Sequence, residues 1–121
     1  MADTDRALAD AAAADKLIAA ERAGGDVQPW LCGIPFGFKD SIGVKGFAAQ
    51  NGTVSFKGNI ANADSGPVKR LRDQGVVAVG ITLCSSYSSS IIGGATGNAW
   101  DFTKAPGGSS QGSAVAPVAR L

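Results

Sequence analysis

The sequence predicts an α/β layered fold with a largely buried sheet, and three observations carry that prediction. Residues 64–75 read as a short helix that leads directly into Val76-Val77-Ala78-Val79-Gly80-Ile81, a nearly continuous apolar run rich in β-branched residues. That is the pattern of a strand covered on both faces. A second apolar run, residues 30–39, holds Pro35, which suits an edge or irregular strand and disfavours a central one. An alanine-rich stretch, residues 3–23, reads as a helix that covers the sheet.

In chain order, the first helix has Asp3 or Thr4 as N-cap, Gly24-Gly25 as its stop and a shallow apolar face through Leu8, Leu17 and Ile18. With so few large side chains it depends on docking. Residues 30–39 form a strand that ends in Lys39, and residues 40–46 read as a short strand and turn. Residues 47–63 are a loop punctuated by Gly and Asn. Asp64 or Ser65 caps the next helix, with Pro67 in the first turn, where its missing N–H does no harm. Val68 and Leu71 face inward, while Lys69, Arg70, Arg72 and Asp73 are expected to be solvated. After the central strand, the low-complexity run at residues 84–90 reads as a surface loop that Tyr87 could anchor, and residues 93–100 as a second, glycine-rich one.

Residues 104–120 read K-A-P-G-G-S-S-Q-G-S-A-V-A-P-V-A-R. Pro106, Gly107, Gly108 and Gly112 punctuate a serine cluster followed by small apolar residues, so the chain turns tightly and enters a helix. Hydroxyls and free backbone N–H groups at a helix start suit a reacting carbonyl or an anion. A flexible Gly/Ser connection followed by an N-cap explains the same residues equally well.

Composition narrows the chemistry. The 121 residues are 45% hydrophobic, with 11 basic against 10 acidic side chains and no basic run, so neither nucleic acid nor an acidic membrane surface is indicated as a partner. No apolar stretch approaches the ~18 residues of a membrane span. Cys32 and Cys84 lie far apart and no secretory leader is evident, so a reduced, cytoplasmic setting is expected. Histidine is absent, which removes the usual base of serine and cysteine hydrolases and the commonest zinc ligand. Lys, Asp, Glu or Tyr must then move any proton. A phosphate cradle fits poorly, because five residues separate Gly37 from Gly43 and no lysine follows Gly112. No metal and no cofactor is expected. What remains is Lys39, by itself more often a solvated surface charge but here flanked by Phe36, Phe38 and Ile42, whose desolvation would free it to act as a base, together with the serine cluster beginning at Ser109.

Three segments carry a resemblance: L-C-G-I-P-F-G-F-K-D-S-I-G-V-K-G at residues 31–46, R-L-R-D-Q-G-V-V-A-V-G at 70–80 and G-N-A-W-D-F-T-K-A-P-G-G-S-S-Q-G-S-A at 97–114. In order and spacing they resemble the amidase signature family. The resemblance implies a Ser-cisSer-Lys triad, with Lys39 on the lysine and Ser109 on the cis-serine, and Gly107, Gly108 and Ser110 in the glycine-serine loop around it. It implies a mixed sheet covered by helices, a small-molecule amide substrate and an acyl-enzyme mechanism.

The family's nucleophilic serine and its oxyanion donors would lie beyond Leu121. The expectation is therefore a single partial amidase domain over residues 1–121, with residues 1–25 as covering helix and 30–121 as core, incomplete on its C-terminal side. Such a piece would be inactive alone, unless a partner or a missing C-terminal segment completes it. The alternative is a non-catalytic remnant or binding fragment. Several residues depart from the family pattern: Ile81 for a usual lysine, Leu83, Ser86 and Tyr87 in a usual Asn-x-x-Glu-Phe, Lys104-Ala105 for Arg-Thr and Gln111 for glycine. Pro117 should kink the last helix or end it early.

Overall fold

The computed structural model describes residues 3–89 and 96–120. Helix α1 (Thr4–Arg22) begins where the Asp3 carboxylate accepts the Arg6 N–H at 3.2 Å, which satisfies one donor that a helix start leaves open, and it stops before Gly24. Of the expected inward face only Ile18 turns inward. Leu8 and Leu17 remain 65% and 48% exposed, and the helix docks through buried Ala14 and through Ile18, both of which lie against Gly33. Alanine and glycine permit a close approach that a leucine ridge would prevent. At its other end Arg6 donates to the Lys45 carbonyl at 3.1 Å and lies 5.2 Å from the centre of the Phe47 ring.

Strands β1 (Pro35–Lys39) and β2 (Val77–Thr82) pair in parallel, joined by a crossover that contains helix α2 (Gly66–Asp73). Pro35 and Phe36 face Val77 and Ala78; a bulge then places Gly37 opposite Gly80, so that Val79 is the extra residue and Lys39 ends opposite Thr82. The strand expected around Pro35 forms and pairs with one neighbour among the described residues, but the irregularity lies in that neighbour, since the extra residue Val79 belongs to β2. Residues 40–46 form no strand. The Ile42 N–H turns back to the Lys39 carbonyl at 2.8 Å, and the Gly46 N–H is used by the Ala61 carbonyl, which leaves no free ladder for a strand. Residues 47–63 are loop apart from a 3-10 turn at Val54–Phe56 and one antiparallel bridge between Ala48 and Ile60.

In α2, Gly66 takes helical geometry directly before Pro67, a position where a Cβ would crowd the proline ring. Neither Asp64 nor Ser65 caps the helix through its side chain. Asp64 instead accepts the Lys45 N–H at 2.7 Å and pairs with Arg72 Nε at 3.1 Å, so Arg72 is partly buried in an ion pair and not a solvated charge. Lys69 and Asp73 do stay in solvent, four residues apart and paired at 3.4 Å.

The core joins α2 to the sheet through Phe38, Val44, Phe47, Val68, Val76, Ala78 and Ile81, with Leu31, Ile42 and Leu71 packed against it. Val68 is fully buried. Val68→Ala is expected to lower unfolding free energy by about 2 kcal/mol, whereas Leu17→Ala on the exposed face of α1 should change it by less than about 0.5 kcal/mol. Urea unfolding of the two variants checks both values.

The 84–90 run is not a surface loop throughout. Cys84 and Ser85 are buried, and a 3-10 turn at Ser86–Ser88 follows. Ser90, and residues 93–95 of the second expected loop, lie outside the described residues. Helix α3 (Gln111–Val118) ends one residue past Pro117, in line with the early stop expected from that proline. Among the described residues no helix is long and apolar enough to cross a membrane.

Candidate active site

Both strands run toward the same end, and the residues of interest collect where they finish, as parallel sheets favour. Strand alternation sends Phe36 and Phe38, whose ring centres lie 4.8 Å apart, to one face and Lys39 to the other. The expectation that these phenylalanines desolvate Lys39 is therefore corrected: Phe38 is buried in the core on the far side, and Lys39 is only half-buried.

The end of β1 is pinned to β2 and to α3 by a small set of hydrogen bonds. Asp40 N–H donates to the Thr82 carbonyl at 2.9 Å. The Thr82 hydroxyl donates to the Phe38 carbonyl at 3.2 Å and is bonded to the Ser113 hydroxyl at 2.7 Å. Gly112 N–H donates to the Leu83 carbonyl at 2.8 Å. A Cβ on Gly112 would stand 2.5 Å from the Leu83 nitrogen, so this glycine lets α3 lie directly on the strand end.

The glycine-serine loop delivers Ser109 to this corner. Gly107 adopts φ +90°, the Gly108–Ser109 peptide bond is cis, and the Ser109 carbonyl accepts the Ser85 N–H at 2.9 Å. Lys39 Nζ then donates to Ser109 Oγ at 2.6 Å, across 70 residues of sequence. Among the described residues no carboxylate lies within ion-pair distance of Lys39, so its amine faces a hydroxyl and not an anion. Ser110 is exposed at the N-cap of α3 without a side-chain capping bond. The structure thus brings Lys39, Ser109 and the loop residues Gly107, Gly108 and Ser110 to one place.

The departures from the family pattern take structural positions. Ile81 joins the core, Lys104 pairs with Asp101 at 3.2 Å, and Gln111 is buried at the first turn of α3. Tyr87 is over half exposed, donates its hydroxyl to Ser55 Oγ at 3.3 Å and sets its ring edge-on to Phe56. The Thr103 hydroxyl, then the Thr103 N–H and the Lys104 ammonium, hold the Asp101 carboxyl below its ordinary range. That turn is held above the ordinary carboxylate range and loosens as pH falls through the lowered value.

Sequence reading missed Asp40, Thr82, Ser85 and Ser113. Thr82 and Asp40 had a signal, since each stands at the C-terminal end of a predicted strand, where ligand crevices form. Among the described residues no group of His, Cys, Asp or Glu is arranged to hold a metal ion.

A family model described as Amidase matches residues 1–121. The A subunit of the glutamyl-tRNA(Gln) amidotransferase of Azoarcus sp. (strain BH72) is 42% identical over 98% of this chain and 24% of its own length. Native peptide amidase from Stenotrophomonas maltophilia superposes with a TM-score of 0.81 at 35% identity, over 99% of this chain and 26% of that one. An inhibitor-bound chain from a vestigial complex tied to the origins of an s-triazine catabolic enzyme gives a TM-score of 0.84 at 30% identity, over 99% and 27%. The chain thus spans about a quarter of the length of the relatives it matches.

Proposed function

The chain belongs to the amidase family, and on that premise we propose that Lys39 and Ser109 form the proton relay of a carboxamide hydrolase. The observation that carries this reading is the 2.6 Å contact between Lys39 Nζ and Ser109 Oγ, within the reach required of a base and the hydroxyl it serves. In its uncharged form the lysine amine takes the Ser109 hydroxyl proton while Ser109 takes the proton of an attacking serine. That serine bonds to the amide carbonyl carbon, the relay returns a proton to the departing nitrogen, and water later cleaves the acyl ester. The attacking serine, on the strength of the family resemblance, comes from sequence outside residues 1–121. A peptide amidase and an amidotransferase share the carboxamide C–N bond, and that is the bond assigned here.

The 121-residue chain, assayed against a panel of simple carboxamides, is expected to release no ammonia. Fused after Leu121 to the C-terminal portion of a matched relative, it should release ammonia, and Ser109→Ala should lower that rate about 1,000-fold. Turnover by the 121-residue chain itself, or an undiminished rate in the Ser109→Ala fusion, would sink the reading.

A further inference from the structure

A flexible four-carbon stem does not by itself place an amine on a hydroxyl, so something must set the two backbones. We propose that Asp40 is the positioning residue for the Lys39–Ser109 pair: its carboxylate locks the 50–52 loop against the 84–88 turn, and that turn holds Ser109. This inference rests on the relay reading above and adds to it a residue that touches neither amine nor hydroxyl.

Asp40 is only 3% exposed, and a buried carboxylate is costly unless donors surround it. Its donors are backbone. Gln50 N–H and Gly52 N–H reach the two carboxylate oxygens at 2.8 Å each, the short range of charge-assisted bonds, and Asn51 N–H reaches the Asp40 carbonyl at 3.3 Å. Three successive N–H groups therefore converge on one residue. Asn51 and Gly52 both have positive φ, 51° and 64°, the kind of backbone that turns consecutive N–H groups inward to cradle an anion. Here the anion belongs to the chain.

The loop so held meets the next turn along its whole outer side. The Asn51 carbonyl accepts Tyr87 N–H at 2.9 Å, Asn51 Oδ1 accepts the Ser88 hydroxyl at 3.0 Å, and the Gly52 carbonyl accepts the Ser86 hydroxyl at 3.2 Å. Gly52 packs so near the Cys84 and Ser85 carbonyls that a Cβ there would stand 2.6 Å from the Ser85 oxygen. Buried Ser85 then donates its N–H to the Ser109 carbonyl. The connections close a ring from Lys39 through Asp40, the 50–52 loop and the 84–88 turn to Ser109, and back to Lys39 by the 2.6 Å contact.

The test reads the amine directly. In the full chain labelled with 15N-lysine, the Lys39 Nζ resonance is assigned by its loss in Lys39→Arg, and its displacement in Ser109→Ala is the reference. Asp40→Asn keeps the shape but sets an amide N–H against a backbone N–H, and it should displace the Lys39 signal comparably. Asp64→Asn is the control, since that carboxylate also accepts a backbone N–H but lies in the contact with Arg72. It should leave the Lys39 signal in place. An unmoved signal in Asp40→Asn, with Ser109→Ala still displacing it, overturns the positioning role and leaves the pair intact. A signal unmoved by Ser109→Ala overturns the pair, and the positioning role with it. Equal displacement by Asp64→Asn reduces Asp40 to general stability and also overturns the role. Should Asp40→Asn fail to fold, Ser88→Ala/Ser86→Ala removes both side-chain bonds between the loop and the turn and should displace the signal in the same direction; no displacement there decides against the proposal.

Discussion

Replacing Gly112 with alanine is expected to destabilise the chain by about 1–2 kcal/mol, although alanine is the better helix former. The helix preference favours alanine by roughly 0.5–1 kcal/mol. Against it stands a Cβ at 2.5 Å from the Leu83 nitrogen and 3.0 Å from the Leu83 oxygen. Both obstacles are backbone and cannot rotate away, and overpacking of this kind costs about 1–3 kcal/mol. The helix must then lift from β2, which breaks the Gly112–Leu83 bond and stretches the one between Thr82 and Ser113. Ser109 stands just ahead of α3 and moves with it, so amide turnover by the fusion should fall about 100-fold, the loss typical of a misplacement near 1 Å. Urea unfolding and ammonia release measure the two effects. A Gly112→Ala chain as stable as the parent would show that α3 does not need so close an approach.

The larger effect falls on Lys39. Lys39→Ala in the fusion should reduce kcat for a carboxamide by about 1,000-fold or more, the upper range for loss of a positioned base. Added methylamine should recover part of that rate, because a small free amine can occupy the vacated space and accept the Ser109 proton. Lys39→Arg should not recover it, since a guanidinium does not give up its proton in a protein. Rescue should also fail in the Lys39→Ala/Ser109→Ala double variant. Full activity in Lys39→Arg would assign the lysine an electrostatic role and end its assignment as the base.

How much of this was legible in the sequence differed by interaction range. The helix starts at Asp3 and the Gly66-Pro67 entry, the β-branched strand, read to within a residue at each end, and the stop at Pro117 are set by local chemistry, and local chemistry is written in consecutive residues. The amine at the end of one strand and the serine before a helix were also visible, as residue types in motifs. Of the inward face of α1 only Ile18 was visible, because an alanine surface is chosen by how near its partner comes, which a moment of hydrophobicity does not record. Asp64 and Arg72 looked like a cap and a solvated charge. Each was claimed by a tertiary partner, and such a claim overrides local preference. The burial of Cys84 and Ser85 was hidden for a related reason: a serine-rich string looks like surface until the 50–52 loop is laid over it. Asp40 was read only as the neighbour of Lys39, since its partners are backbone amides, and backbone amides have no letter in the sequence.

The two side chains at the candidate centre, 70 positions apart in sequence, come together only after the residues between them have been looped back on themselves. Closing a loop of that length costs several kcal/mol of chain entropy before any contact between its ends can repay it. A chain still leaving the ribosome therefore holds its lysine long before it holds the matching serine. Contact between the two must wait for the residues between them, and chemical reactivity of that amine would report, in a growing polypeptide, the moment at which lysine and serine meet.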